Sequence, residues 1–307
     1  MASHNMNIDR FLKNCPCGSQ HAFQKCCKPK KLDAVFQFQE GEQPDTLPDW
    51  RIAVISQIVQ DVPAAYEGGP SHKKGSFVAL IHHERQPRKQ VISFTTPHAA
   101  ALSLGAAVKN SIAAIESKAK LVPIEVISPS GKSKMYGPDD ILFDYLEYSM
   151  ASANFSYQAL ESFCNSVIAR ADKIETLEIK VKKEIKVLSK REIERNLSTE
   201  DKLLQVLPAI LEIDSPKSTL RWHHFKQLKE IRDSIVHMKS YSLFSQMKGD
   251  ASSLYFKLIE SNPLIFPKIA FELIWLYSQS SIGGHYQPLW ARRFLDYFGR
   301  EIEKHVK

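Results

Sequence analysis

Leu228-Lys229-Glu230-Ile231-Arg232-Asp233-Ser234-Ile235-Val236-His237 decides how the C-terminal half of this chain reads. Leu228, Ile231, Ile235 and Met238 recur at helical spacing, so Leu220 to Ser240 is expected to be a helix packed along that stripe. Arg232 keeps its charge at any ordinary pH, and His237, five residues on, belongs to the type that titrates near neutrality. On a regular helix, residues five apart sit about 140° apart around the axis. The two therefore do not face one phosphate together unless the helix ends or bends near His237, or a second chain shares the site. Asp233 and His237, four apart, do share a face, where the carboxylate would fix the imidazole tautomer. An Asp/His pair beside an Arg is also common on solvated helix faces that carry no chemistry.

Outward from that stretch, the pattern is helical almost throughout from Asp139 to the end. Ile141 to Arg170 is long and closes on the stripe Tyr157, Leu160, Cys164, Val167 and Ile168. Ile174, Leu177, Val181, Ile185 and Leu188 suggest a second, amphipathic helix with mixed charges on its outer face. Ser198 reads as an N-cap, followed by Glu200 and Asp201 in the first turn. Ser252 to Glu260, Pro267 to Gln279 and Trp290 to about Lys304 complete a helical bundle over 138–307. Cys164 reads as a small core residue, His83 as a solvent-facing strand residue and Gly283-Gly284-His285 as a turn; His223-His224 beside Trp222 are candidates for RNA contact.

Further upstream, Trp50 to Gln60 carries Ile52, Ile55 and Val59 at the spacing of a short helix. Phe77 to Ile81, Val91 to Phe94 and Val122 to Ile127 read as strands, with an alanine-rich helix between the last two that runs to about Lys118. Thr96 would cap that helix and Pro97 open it. The order β-β-α-β predicts a small α/β domain over 50–137, after a linker at 33–49 marked by Gly41, Pro44 and Pro48. The fold class expected for the whole chain is α+β, mainly α.

Four of the five cysteines crowd into Cys15-Pro16-Cys17 and Cys26-Cys27. Adjacent cysteines make strained disulfide partners but can both reach one tetrahedral ion, so a zinc knuckle over 1–32 is expected. Four thiolates leave no open position for water, which makes the zinc structural. Binding worth roughly 10–16 kcal/mol would largely fold so small a unit. His21 is an alternative ligand should one cysteine be free. Cys15-Pro16-Cys17-Gly18-Ser19, eight residues from Gly18 to Lys25, and then Cys26-Cys27 resemble the SEC-C zinc motif, although Gln20 stands where the motif commonly has glycine. That motif is best known from the tail of the bacterial secretion ATPase, and the resemblance implies docking on a protein, ribosome or nucleic acid.

A net charge of +7 over 307 residues makes a polyanion partner plausible but does not select one. No apolar run approaches the roughly 18 residues needed to span a bilayer, and Met1 to Arg10 lacks a signal peptide's apolar core. No membrane partner and a cytoplasmic location are expected, with Met1 to Asn5 readable as an added leader before a native Met6.

Arg232-Asp233-x-x-x-His237 after the helical Leu228-Lys229-Glu230-Ile231 also resembles the signature of the HEPN superfamily: Arg, a polar residue, three or four others, then His. Tyr157 to Asn165 resembles the first-helix pattern of many HEPN bundles, and Glu200 to Pro208 a segment often found between the two. This likeness runs from about Asp139 to Tyr241. It implies a homodimer whose facing motif helices pool Arg232 and His237 in a metal-independent endoribonuclease acting on RNA, often a toxin or abortive-infection effector against phage. By the same resemblance Arg232 would bind the scissile phosphate, His237 would move protons and Asp233 would orient His237. The product would be a 2′,3′-cyclic phosphate. Glu161 and Asn165 are auxiliary candidates from the first helix. The superfamily also includes non-catalytic members, so a dimeric adaptor docking through its zinc knuckle is the other reading.

Overall fold

The computed structural model describes residues 49–57, 61, 77–79, 81–85, 91–128, 131–171, 174–181, 184–237, 254–278 and 289–305. Cys15, Cys17, Cys26 and Cys27, and with them the expected zinc knuckle, lie outside the described residues. The chain divides into two compact units, one ending at His98 and one beginning at Ala99.

In the first unit β1 (Val54–Gln57) pairs antiparallel with β2 (Phe77–Ala79), and β3 (Ile81–Arg85) with β4 (Val91–Thr95). His82 stands opposite Phe94 and His83 opposite Ser93. Residues 51–53 are stitched to 96–98: Ala53 N–H donates to the Thr96 carbonyl at 2.9 Å, and His98 N–H to that of Arg51 at 2.7 Å. The helix expected over Trp50 to Gln60 is thus corrected to a bridge at Ile52 and a strand. The β-branched pair Val54-Ile55 suits a pleated ladder, and that pairing overrides a spacing that three apolar residues alone suggested.

The second unit is mostly helical. The alanine-rich helix α1 (Ala99–Lys118) lies along the long helix α2 (Asp139–Arg170). It starts at Ala99, so Thr96 is not its cap. Its buried face is Ala100, Ala101, Leu104, Ala107, Val108 and Ala114, and α2 answers with Ser149, Ser152, Ala153, Ser156 and Ala159. Small side chains on both helices let the axes approach closely, and Ser111 Oγ meets Ser152 Oγ at 2.7 Å across the contact. The helix expected to complete an α/β layer over 50–137 therefore belongs to the bundle. Its neighbouring strand β5 (Val122–Ser128) forms a hairpin with β6 (Gly131–Gly137) instead of joining β3 and β4.

Residues 174–188 were expected as an amphipathic helix, but β7 (Thr176–Val181) and β8 (Glu184–Ser189) form an antiparallel hairpin. Thr176-Leu177-Glu178-Ile179-Lys180-Val181 alternates with period two, with Ile179 buried, and that local alternation outweighs the sparser helical stripe. A capping box at Ser189 and Glu192 then opens α3 (Lys190–Asn196).

Ser198 caps the next segment as the sequence predicted, its hydroxyl accepting from Asp201 N–H. A helical turn at Thr199–Asp201 continues as a π-helix over Lys202–Val206 and an α-turn over Leu207–Leu211. The motif helix α4 (Leu220–Val236) packs against α2 and against α6 (Ile265–Ser278), with α5 (Leu254–Glu260) preceding α6 and α7 (Leu289–His305) closing the chain. Among the described residues the core is this bundle: Tyr145, Leu160, Phe163, Phe225, Leu228, Ile274 and Phe294 are all buried. No helix among the described residues is long and apolar enough to cross a membrane.

Candidate active site

The motif helix is anchored by one end of its apolar stripe. Trp222, Phe225 and Leu228 are buried, each burial worth about 1.5–3 kcal/mol. Phe225 stacks on Tyr157 of α2 with ring centroids 6.1 Å apart and meets Trp222 at 4.7 Å. Further along, Ile231 and Ile235 are only half-buried, so the helix emerges from the core as it approaches the motif.

Arg232 sits at that emergence. Its guanidinium carbon lies 4.6 Å from the centre of the buried Tyr157 ring, a cation–π contact worth about 0.5–2 kcal/mol. One amino group donates to Asp233 at 2.9 Å, and the side chain keeps 31% exposure, enough for an anion to reach it. Burial pushes the Tyr157 hydroxyl's pKa up, partly opposed by a hydrogen bond with Thr199 and by the Arg232 charge. Tyr157 is thus a neutral aromatic floor under the cation.

Asp233 also receives Lys229 Nζ at 3.0 Å. Lys229 in turn lies 3.7 Å from Glu200, which accepts from Lys226 at 2.9 Å. The result is a surface chain of alternating charges linking the Thr199–Asp201 turn to the motif helix. Burial alone would raise the Asp233 pKa, but the hydrogen bonds and charges of Arg232 and Lys229 outweigh it and hold the carboxyl below its usual range. Lys229 moves the other way, its ammonium stabilised first by Asp233.

His237 is exposed and forms the C-cap, its φ of −110° and ψ of 40° ending the helix. Its N–H still closes the last turn onto the Asp233 carbonyl at 2.9 Å. The helix is therefore regular up to His237, and the angular separation of about 140° from Arg232 persists within one copy. Asp233 meets His237 through that backbone carbonyl, whereas among the described residues its carboxylate bonds to Arg232 and Lys229. The expected role of Asp233 in fixing the imidazole is not the arrangement seen here.

Of the first-helix candidates, Asn165 pairs with a residue outside the motif. Asn165 accepts a 2.9 Å bond from Lys202, which also donates to the Glu194 carbonyl at 2.8 Å. Lys202 is only 1% exposed, so Asn165 serves to satisfy a buried ammonium. Glu161, one turn before it, acts on the Cys164 thiol, which burial above all pushes up to about 12. His223 contacts Gln227 at 3.3 Å, and its ring lies 6.4 Å from that of His224, the divergence expected of neighbours on a helix. Among the described residues no group of three or more metal-ligating side chains converges.

Sequence reading missed three partners: Tyr157 as the floor for Arg232, Lys229 as the second cation on Asp233, and Lys202 as a buried charge. The Lys229/Asp233 pair was findable from its i, i+4 spacing. No family model, curated protein or solved structure matches this chain.

Proposed function

We propose that this protein is a metal-independent endoribonuclease of HEPN type in which two copies pool Arg232 and His237 around one RNA phosphate. The observation that carries the reading is the placement of both side chains. Each is open to solvent near the C-terminal end of a core-anchored helix, yet the helical spacing sets them on different sides of it. One copy alone does not aim both at a single phosphate, and a second motif helix laid against the first would bring a second Arg232 and a second His237 to one shared cleft. Arg232 would neutralise the charge that builds on the phosphoryl oxygens as the 2′-hydroxyl attacks. One His237 would take the hydroxyl proton and the partner's His237 would protonate the departing 5′-oxygen, leaving a 2′,3′-cyclic phosphate and a 5′-hydroxyl. A toxin or anti-phage role, with a structural zinc on Cys15, Cys17, Cys26 and Cys27 serving to dock the enzyme, completes the proposal.

Purified protein incubated briefly with total RNA in excess EDTA should cut, and His237→Ala should cut more slowly by about 10²–10⁴-fold. Equal cleavage by both proteins would remove His237 from the mechanism. Growth arrest on expression, relieved by His237→Ala, is the expected cellular counterpart.

One observation favours a second reading, a non-catalytic adaptor. The Arg232 guanidinium is already held by Asp233 and Tyr157, as a structural arginine would be. RNA or protein binding unchanged in Arg232→Ala, with no cleavage by the wild type, selects that reading.

A further inference from the structure

The hairpin β7–β8 has one edge closed and one open. Gln205, on the π-helix, accepts from Lys180 N–H at 3.1 Å and donates to the Lys180 carbonyl at 3.1 Å. Its side-chain amide therefore imitates a third strand on the outer side of β7. Both backbone groups of Lys180 must then point away from β8. Lys180 stands opposite Ile185, so this is a pair without mutual hydrogen bonds, and Ile185 presents its own N–H and carbonyl to the far side. The alternation repeats at Val187 and Ser189. The Ser189 N–H is taken by Glu192 at 2.8 Å. Among the described residues nothing bonds to the outward backbone groups of Ile185 and Val187. Their side chains are 72% and 62% exposed, unusual for two β-branched residues on an open edge.

We infer that the β8 edge pairs antiparallel with β8 of a second copy of this chain, about a two-fold axis through Ile185. Three symmetric registers set Ile185 opposite an outward-facing residue of the second copy. Pairing about Lys186 stacks two ammonium groups directly opposite each other, which is destabilising. Pairing about Val187 sets Ile185 opposite Ser189, whose N–H already belongs to Glu192. Pairing about Ile185 exchanges the two Ile185 N–H···O bonds and sets Glu184 opposite Lys186 of the second copy, twice. Those two side chains already lie on the same face, their charges 3.5 Å apart within one copy. The Lys186 that bars self-pairing about its own position thus becomes a partner when the axis moves one residue.

So short an edge buries less than a standard interface, so association is weak. It is separate from the proposed pooling of Arg232 and His237. Should the motif helices already join two copies, the same edge carries the next, concentration-dependent step.

Sedimentation velocity on the full chain over a wide concentration range tests the pairing. The wild type should show a reversible association that Glu184→Lys weakens by about tenfold or more, because two attractive pairs become two repulsive ones. The double change Glu184→Lys with Lys186→Glu should restore it, and Arg232→Ala should leave it unmoved. Ile185→Pro removes the on-axis donor without costing the hairpin a bond and should abolish association with an unchanged circular dichroism spectrum. No concentration-dependent step, or one insensitive to Glu184→Lys, or one that the double change fails to rescue, overturns the inference.

Discussion

Asp233 is where the two readings of the motif meet. Its carboxylate holds Arg232 from one side and Lys229 from the other, so a phosphate must compete with it for the guanidinium. Asp233→Asn should weaken that hold while keeping the shape. Under the nuclease reading Arg232 then binds RNA at least as tightly, and any fall in cleavage comes from altered positioning; binding and single-turnover rates measured separately distinguish the two. The same carboxyl sets a pH dependence whose sign is fixed. A carboxyl held below its usual range in the folded state contributes stability above its unfolded pKa of 3.8 and loses it as pH falls through the lower folded value. Asp233 is more than a third exposed, so solvent screening keeps the contribution small, under about 1 kcal/mol. Urea melts of wild type and Asp233→Asn at a series of pH values should therefore differ slightly near neutrality and converge in acid. A gap that widens below pH 3.8 would contradict this account of the ion pairs.

One element shows why a residue far along the chain is needed to complete a helix. Leu207 N–H reaches back five residues to the Lys202 carbonyl, so the Leu203 carbonyl loses its usual α-helical donor. The next N–H in the π register would be that of residue 208, which is proline and has none. Tyr277 fills the gap, donating its buried hydroxyl to the Leu203 carbonyl at 2.5 Å. Burial above all pushes the Tyr277 pKa upward, so it remains a donor at every ordinary pH. Tyr277→Phe should leave a buried carbonyl unsatisfied and cost about 1–3 kcal/mol in a denaturant melt; a change under about 0.5 kcal/mol would mean that the segment relaxes back to a regular helix. Pro208 was visible in the sequence and its consequence was not, because the rescuing hydroxyl lies on another helix. The hairpin at 176–189 failed differently. A stripe at helical spacing and an alternation of period two overlap there, and only the partner strand decides between them. The long helices and the Ser198 cap were legible because each depends on local spacing or a local cap, whereas the motif helix, expected to Ser240, ends at Val236.

At the scale of the whole molecule, polar ties between distant helices hold the C-terminal segment to α1 and α2. Tyr145 donates to the Leu258 carbonyl at 2.5 Å, Lys118 to that of Ile259 at 2.5 Å, and Ser111 lies within 2.9 Å of the Pro263 carbonyl. These bonds satisfy the end of α5 and the turn into α6, carbonyl groups that a helix terminus leaves without partners. They tie 254–278, expected as helices of the bundle, to α1 and α2 through contacts that spacing within the segment did not reveal. The α1/α2 contact was hidden for the same reason, since the small residues that permit it are spread over two helices separated by a hairpin. The second unit carries its own buried apolar core, from Ala100 to Phe294. Residues 99–307 should therefore fold without the first unit, giving one cooperative thermal transition within about 5 °C of the corresponding transition in the full chain. Ser111→Ala in that fragment should lower the transition, since Ser152 loses its partner and the Pro263 carbonyl its nearest hydroxyl, at a cost of about 1–3 kcal/mol. A fragment that melts without cooperativity would show that the bundle's core needs residues before Ala99, and the division at His98 would then mark a bend in one domain instead of a boundary between two.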